Sequence, residues 1–331
     1  MKKNIEEIPF LDFFKSAWKI TKENRFLWWL GFMVALASGG STNINLPFDS
    51  NGKEAESAKK IGEFLTQNIE LVIAGVIFIF VLYLVFISIS TLGRGALIKS
   101  IDHIIKKEPT GLKPSLREGK SCFWRVLILG IILIFLIILS LIVIITPIIF
   151  LFATKSYVLG VILSIFAFLI MIPLFILVSY LKTFGYIYIV LGKLSVGSAI
   201  ESAYNLFRQN LLSSIIMGLF FFPIGILMFF IILLIVIPLL FIFVPLGFLA
   251  YFLGGNVPVG IIIALGILIF IILAFFIRSL FEVFSQAAWL LFFREIATPK
   301  VEEKITEVLE ELEKADTLPA GDPIKTIETE K

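Results

Sequence analysis

Arg278, Glu282 and Gln286 recur four residues apart in an otherwise apolar stretch, so a helix there carries all three on one face. An ionisable side chain costs about 2.5–3.5 kcal/mol at the centre of a bilayer, which makes such a stripe a candidate substrate or proton path. Depth argues for a humbler role. Arg278 lies about 19 residues into a run starting near Val259, and a span of about 20 residues puts it near the far interface, where an Arg–Glu pair anchors a helix end. His103 is the only histidine, which excludes metal sites built on several imidazoles and the H-E-x-x-H pattern within this chain; it reads as an ordinary polar-face residue. Gly119, Lys120 and Ser121 imitate the end of a phosphate loop, but Pro114 stands where the first glycine is required. Gly192 to Gly197 fails similarly, lacking the lysine. The single cysteine, Cys122, leaves no internal disulfide and reads as a small packed residue. No catalytic residue, metal site or cofactor follows from these patterns.

The elements that must position the stripe are set by solvent rather than by reaction. Apolar residues make up 59% of the chain and charged ones 16%, with mean hydropathy +1.03; soluble domains sit near 45–50% and 25%, so the class is an all-α polytopic transmembrane bundle. Counting about 20 residues per crossing predicts spans at 26–40, 64–91, 123–152, 157–181 and 259–293, with 211–253 between the last two. As a straight helix that segment would be about 65 Å long, twice a hydrocarbon core. It is expected to bend or divide at Pro223, Pro238 and Pro245, leaving 236–253 as an interfacial or re-entrant piece. The first apolar run ends in Ala35, Leu36 and Ala37, like a signal-peptidase site, yet the 25 residues before it are long for a leader and contain Glu6, Glu7, Asp12 and Glu23. A retained span is expected.

Charge chooses six spans. Lys2, Lys3, Lys15, Lys19, Lys22 and Arg25 precede the first, and Arg94, Lys99, Lys106, Lys107, Lys113, Arg117, Lys120 and Arg125 lie between the second and third. Alternate loops are poorer in Lys and Arg, so both termini are expected in the cytoplasm of a cell with this multi-pass protein in its cytoplasmic membrane. Seven spans would export Arg278, Arg294 and the charged tail. The chain then divides into a cytoplasmic amphipathic helix (1–25), a six-span domain (26–298), an acidic amphipathic helix (299–315) and a disordered cytoplasmic tail (316–331).

An internal repeat underlies the spans. Ser16, Ala17, Trp18 and Asn24 recur with identical spacing as Ser202, Ala203, Tyr204 and Asn210, and a weaker third copy is Lys120, Ser121, Cys122, Phe123, Trp124 and Arg125. Three units are expected, each an interfacial helix followed by a hairpin of two spans. Leu97, Ile98, Ile101, Ile104 and Ile105 oppose Lys99, Asp102, His103, Lys106 and Lys107, which predicts a segment lying on the membrane and capping span two, its basic face towards water or the anionic headgroups that the 94–125 loop would meet. Val196, Ala199, Ile200, Ala203 and Phe207 repeat the pattern. Tyr180, Lys182, Tyr186 and Tyr188 read as an aromatic interface belt. Val301, Ile305, Val308 and Leu312 form a narrow seam amid glutamates, so 301–312 is expected to pair with itself, a protein partner or the basic helices. A net charge of +3 is too small to argue for nucleic acid.

The Ser, Ala, Trp helix with its downstream Asn24, the run Trp28, Trp29, Leu30, Gly31, the Gly93, Arg94, Gly95 exit from span two and the 202–210 segment together resemble a group of prokaryotic membrane proteins. These are similar to the membrane domain attached to some bacterial glycerophosphodiester phosphodiesterases. The resemblance covers roughly 10–295 and implies a six-span bundle without catalytic residues, because in such proteins the phosphodiesterase is a separate soluble barrel. The expected role is a membrane scaffold or lipid-associated accessory protein in the lipid bilayer, not an enzyme; the alternative is a small-molecule or lipid transporter.

Overall fold

The computed structural model describes residues 9–38 and 66–316, with side chains, Ser38 and Asn256 apart, as far as Ala297. Its elements are all helices: α1 (Phe10–Glu23), α2 (Phe26–Ser38), α3 (Ile69–Ile105), α4 (Leu112–Ala153), α5 (Tyr157–Leu191), α6 (Val196–Gln209), α7 (Leu211–Gly254) and α8 (Asn256–Asp316). Five are long and apolar enough to cross a membrane and α2 is a shorter apolar helix, so the chain is a polytopic helical membrane protein. At 13 residues, α2 is about 20 Å long, short of a 30 Å hydrocarbon core. The acidic seam lies where α8 continues as helix, but its side chains, like the whole of 317–331, fall outside the described residues.

The expectation for 211–253 is overturned. The 211–253 segment neither divides nor leaves an interfacial or re-entrant piece at 236–253; α7 runs 44 residues through Pro223, Pro238 and Pro245. A proline removes one helical hydrogen bond, whereas ending a helix in lipid strands a whole turn of donors and acceptors, so continuation is the cheaper outcome. The length problem is solved differently, because burial divides each long helix in two. Among residues 69–89 of α3, 134–153 of α4, 218–249 of α7 and 257–278 of α8 none is buried, and in 157–177 of α5 only Gly160, Ala167 and Met171 are. The 20 residues of 134–153 measure about 30 Å, one hydrocarbon thickness. These apolar arms end in a packed base, where Leu27, Leu30, Leu97, Leu129, Phe184 and Leu290 are buried in one continuous core.

The polar groups of the arms need no partner. Ser88, Ser140, Thr146 and Ser164 each donate to the carbonyl four residues back, on Leu84, Leu136, Ile142 and Gly160, the form in which a hydroxyl enters lipid at least cost.

Two copies of the repeat coincide in structure. α1 and α6 are both 14 residues long, end at Asn24 and Asn210, and bury Ala17 and Ala203 completely. Asn24 Nδ2 donates to Ile20 O at 2.9 Å and Asn210 Nδ2 to Leu206 O at 3.2 Å, so each amide caps its own last turn before the chain re-enters helix. Four residues past each cap, the backbone carbonyl accepts a hydroxyl from another helix: Ser279 donates to Trp28 O and Tyr180 to Ser214 O. Serine suffices at the first because Gly31 lets α2 approach α8, a Cβ there lying 2.4 Å from Ser279 O. In the third copy Cys122 occupies the place of Ala17 and is likewise buried, but Leu129 stands where Asn24 would be, and the amphipathic segment runs uncapped into its span as the start of α4.

The units close head to tail. α1 packs on α8, the start of α4 on α3, and α6 on α5; each amphipathic segment therefore covers the last helix of another unit, and α3, α5 and α8 lie innermost. The 97–105 segment accordingly does not lie on the membrane: Leu97, Ile98 and Ile101 are buried by protein as the final turns of α3. Closure is tight at Gly119, where an added Cβ would sit 2.7 Å from Leu92 O and 2.8 Å from Ala96 N. Since backbone cannot yield as a side-chain tip can, Gly119→Ala is expected to destabilise the base by about 1–3 kcal/mol. Gly225→Ala on the arm, with nothing within 4 Å, is expected to leave the detergent melting temperature unchanged or raise it.

Candidate functional site

The stripe sits where arms meet base. Arg278 Nη2 lies 3.4 Å from Glu282 Oε1, with the side chains 47% and 17% exposed. One and two turns further along the same face come Gln286 and Trp289, and this face turns towards α5, whose Tyr180 and Phe184 meet the Trp289 ring edge-on at 5.4 and 6.1 Å. Two cations from other helices join the stripe. Lys182 of α5 is within electrostatic reach of Glu282 and of Arg94 of α3, and the Arg94 guanidinium stacks over the Tyr186 ring, 5.2 Å from its centroid.

The inner helices thus link Arg94, Lys182 and the Arg278–Glu282 pair into one chain of charges, and Gln286 lies one turn beyond Glu282 on α8. Sequence reasoning placed Arg94 among loop charges and Lys182 in an aromatic belt. Arg94 lies mid-helix in α3 rather than in a loop, and of the belt Tyr180 and Tyr186 are buried in the protein core whereas Lys182 is exposed. The available signal was the repeat itself, because the second helix of each unit carries a lone cation near the end of its apolar run, Arg94, Lys182 and Arg278.

Depth follows from the hairpin tips. The α4–α5 tip is Lys155, with φ 60°, and the α7–α8 tip is Gly255, with φ 74°. Lys182 and Glu282 each lie 27 residues beyond their tip, about 40 Å at 1.5 Å per residue. A bilayer with its headgroups is about 40–45 Å thick. With the tips at one surface, the cluster is level with the headgroups of the other, not with the midplane. Charge there is unbalanced, with three cations against Glu282. Among the described residues neither Arg94 nor Lys182 has a carboxylate within salt-bridge distance, and Gln286 Nε2 is buried without a hydrogen-bond partner.

Deeper in the base a second charge cluster is purely internal. Asp102 is 3% exposed, Lys106 Nζ lies 3.0 Å from its carboxylate, and Arg294 of α8 donates to it. Asp102 was expected on an exposed basic face; it instead joins the ends of α3 and α8. His103 lies between two glutamates, Nδ1 2.9 Å from Glu108 and Nε2 3.3 Å from Glu118, at the α3–α4 turn. Ser100 and Ser115 hydrogen-bond across the same turn at 2.6 Å, and Arg125 Nη1 donates to Lys193 O at 2.6 Å, tying α4 to the α5–α6 turn. Among the described residues no group of His, Cys, Asp and Glu side chains could hold a metal ion. No family model matches the chain, and neither a curated protein nor a solved structure resembles it significantly.

The two ion pairs should differ in strength by environment. A double-mutant cycle on Arg294→Gln and Asp102→Asn, read by thermal unfolding in detergent, is expected to show that Arg294→Gln alone costs about 3 kcal/mol or more, because it leaves a buried carboxylate with Lys106 only, and that adding Asp102→Asn recovers part of the loss. The same cycle on Arg278→Gln and Glu282→Gln is expected to give a coupling below about 1 kcal/mol, since that pair reaches solvent. Equal couplings would show that burial does not distinguish them.

Proposed function

We propose that the chain is a membrane scaffold or lipid-associated accessory protein without an enzymatic site, held in the cytoplasmic membrane with its base on the cytoplasmic side. The observation that carries this reading is the division of labour within each long helix: arms that face lipid on nearly every side, and a packed base level with one headgroup layer. The positive loops, which all belong to the base, support the orientation. The resemblance to the phosphodiesterase membrane domain supports it further, since the chemistry of those proteins resides in another domain.

A lipid transporter is the second reading, and the convergence of Arg94, Lys182 and Glu282 between separated arms favours it. Its weakness is depth, because alternating-access carriers place their polar site near the midplane on broken helices, whereas here the prolines of α4, α5 and α7 lie inside continuous helices.

Orientation is tested with single cysteines in a Cys122→Ser background. Lys155→Cys at a hairpin tip is expected to react with a membrane-impermeant maleimide in intact cells, and Lys113→Cys on the base only after permeabilisation. Labelling of both positions in intact cells removes the proposed topology. Reconstituted into liposomes, the wild-type chain is expected to leave a fluorescent phospholipid in its original leaflet as long as protein-free liposomes do. Rapid exchange between leaflets would replace the scaffold reading with the transporter.

A further inference from the structure

We propose that Arg94, Lys182 and Arg278 form a binding site for the phosphate of an anionic membrane lipid, which reaches it sideways between the arms; this rests on the lipid-associated reading above. Four observations converge. The site has three cations and one carboxylate, so it carries an excess of positive charge that Glu282 cannot neutralise. Lys182 stands about 40 Å beyond the Lys155 tip and Arg278 about 34 Å beyond the Gly255 tip, close to the level at which phosphates of the opposite leaflet lie. The arms bury no residue of α3 over 69–89 or of α8 over 257–278; α2 joins α3 and α8 through Val34–Ser90 and Phe32–Phe275, so the open side is that of α5, whose ring contacts with α3 and α8 begin only at Tyr186 and Tyr180. Acyl chains therefore have access where the headgroup would dock. Finally, Gln286 offers a buried Nε2 with no acceptor.

The chemistry fits a phosphate better than a carboxylate or a neutral headgroup. Arg94 is held by one face on Tyr186, which fixes the guanidinium plane and leaves its edge donors free for two phosphate oxygens. Lys182 supplies a point charge from another helix. Arg278 remains tethered to Glu282 at 3.4 Å, so the carboxylate orients one cation while the other two stay unpaired. A net negative lipid relieves this excess; a zwitterionic one brings its own cation into a site already rich in them.

The experiment uses the full chain in dodecyl maltoside, with the melting temperature followed as phosphatidylglycerol or phosphatidylcholine is added by mole fraction. Phosphatidylglycerol is expected to stabilise the wild type, and phosphatidylcholine to do so far less. Arg94→Gln and Lys182→Gln are each expected to raise the half-saturating phosphatidylglycerol fraction about tenfold, the loss of one charge-assisted contact. Lys113→Gln, on the exposed base, is expected to change nothing. Arg94→Lys keeps the charge but not the fork, and is expected to fall between wild type and Arg94→Gln; it also serves if Arg94→Gln fails to fold. Sodium phosphate at matched concentration is expected to have no effect, and equal protection by it would keep the phosphate site while reassigning its ligand to soluble phosphate. The site is overturned if folded Arg94→Gln and Lys182→Gln respond to phosphatidylglycerol as wild type does, or if Lys113→Gln weakens the response equally. Either result leaves the scaffold reading standing whenever the cysteine labelling supports the topology.

Discussion

Lipid gives apolar helices no reason to touch one another. A leucine leaving lipid for a helix–helix contact exchanges one hydrocarbon environment for another, so association must come from close packing or polar bonds. The arms supply little of either: their side chains are large and apolar, and the hydroxyls of Ser88, Ser140, Thr146 and Ser164 are satisfied within their own helices. The polar bonds between helices and the buried core that hold the described apolar helices in one arrangement are consequently gathered in the base. There the small residues appear at contacts, Gly31 against Ser279, Gly93 against Leu30, and Gly119 against Leu92 and Ala96. Asp102, the one deeply buried charge among the described residues, is placed where it joins the inner helix of the first unit to that of the last.

That concentration explains why the amphipathic segments matter. In an ordinary membrane bundle such helices rest on the interface and contribute modestly. Here each covers the last helix of another unit, with Ala17, Cys122 and Ala203 buried, so the three hairpins are coupled through their bases. The Asn caps serve the same arrangement. By satisfying a carbonyl at the end of α1 and of α6, they allow a sharp change of direction between a helix that runs along the base and one that leaves it. Where the third copy has Leu129 instead, the turn is absent and α4 runs on unbroken.

Much of this was legible in the residues. Class and span positions followed from composition and run length, because lipid imposes one rule on every exposed position. The repeat was visible as Ser, Ala, aromatic and Asn at fixed spacing, because a cap and a close contact each demand a particular residue type. The failures share a cause. Leu97, Ile98 and Ile101 have the periodicity of a membrane-surface helix, and periodicity reports an apolar face without saying whether lipid or protein covers it. Asp102 shared the opposite face with lysines, and only the fold reveals that Arg294 approaches from 192 residues away. The stripe of Arg278, Glu282 and Gln286 was found as a face of one helix, whereas Arg94 and Lys182 belong to it through tertiary convergence that no local spacing encodes.

The lengths of the arms then acquire a meaning beyond crossing the membrane. Uncharged and apolar over their whole course, the two hairpins can slide in depth only until a tip or the base meets a headgroup layer, and charge stops them at both ends. Lys155 marks one limit and the Arg94, Lys182 and Arg278 cluster the other. Lys182 lies 27 residues beyond Lys155 and Arg278 23 beyond Gly255, so the α4–α5 and α7–α8 hairpins carry their cations to depths that differ by about 6 Å along the helix. A cluster used only to anchor one helix end would need no such proximity in depth, since each helix could find its own level by snorkelling. Holding cations from different helices at similar depth is the arrangement that a single headgroup shared among those helices requires.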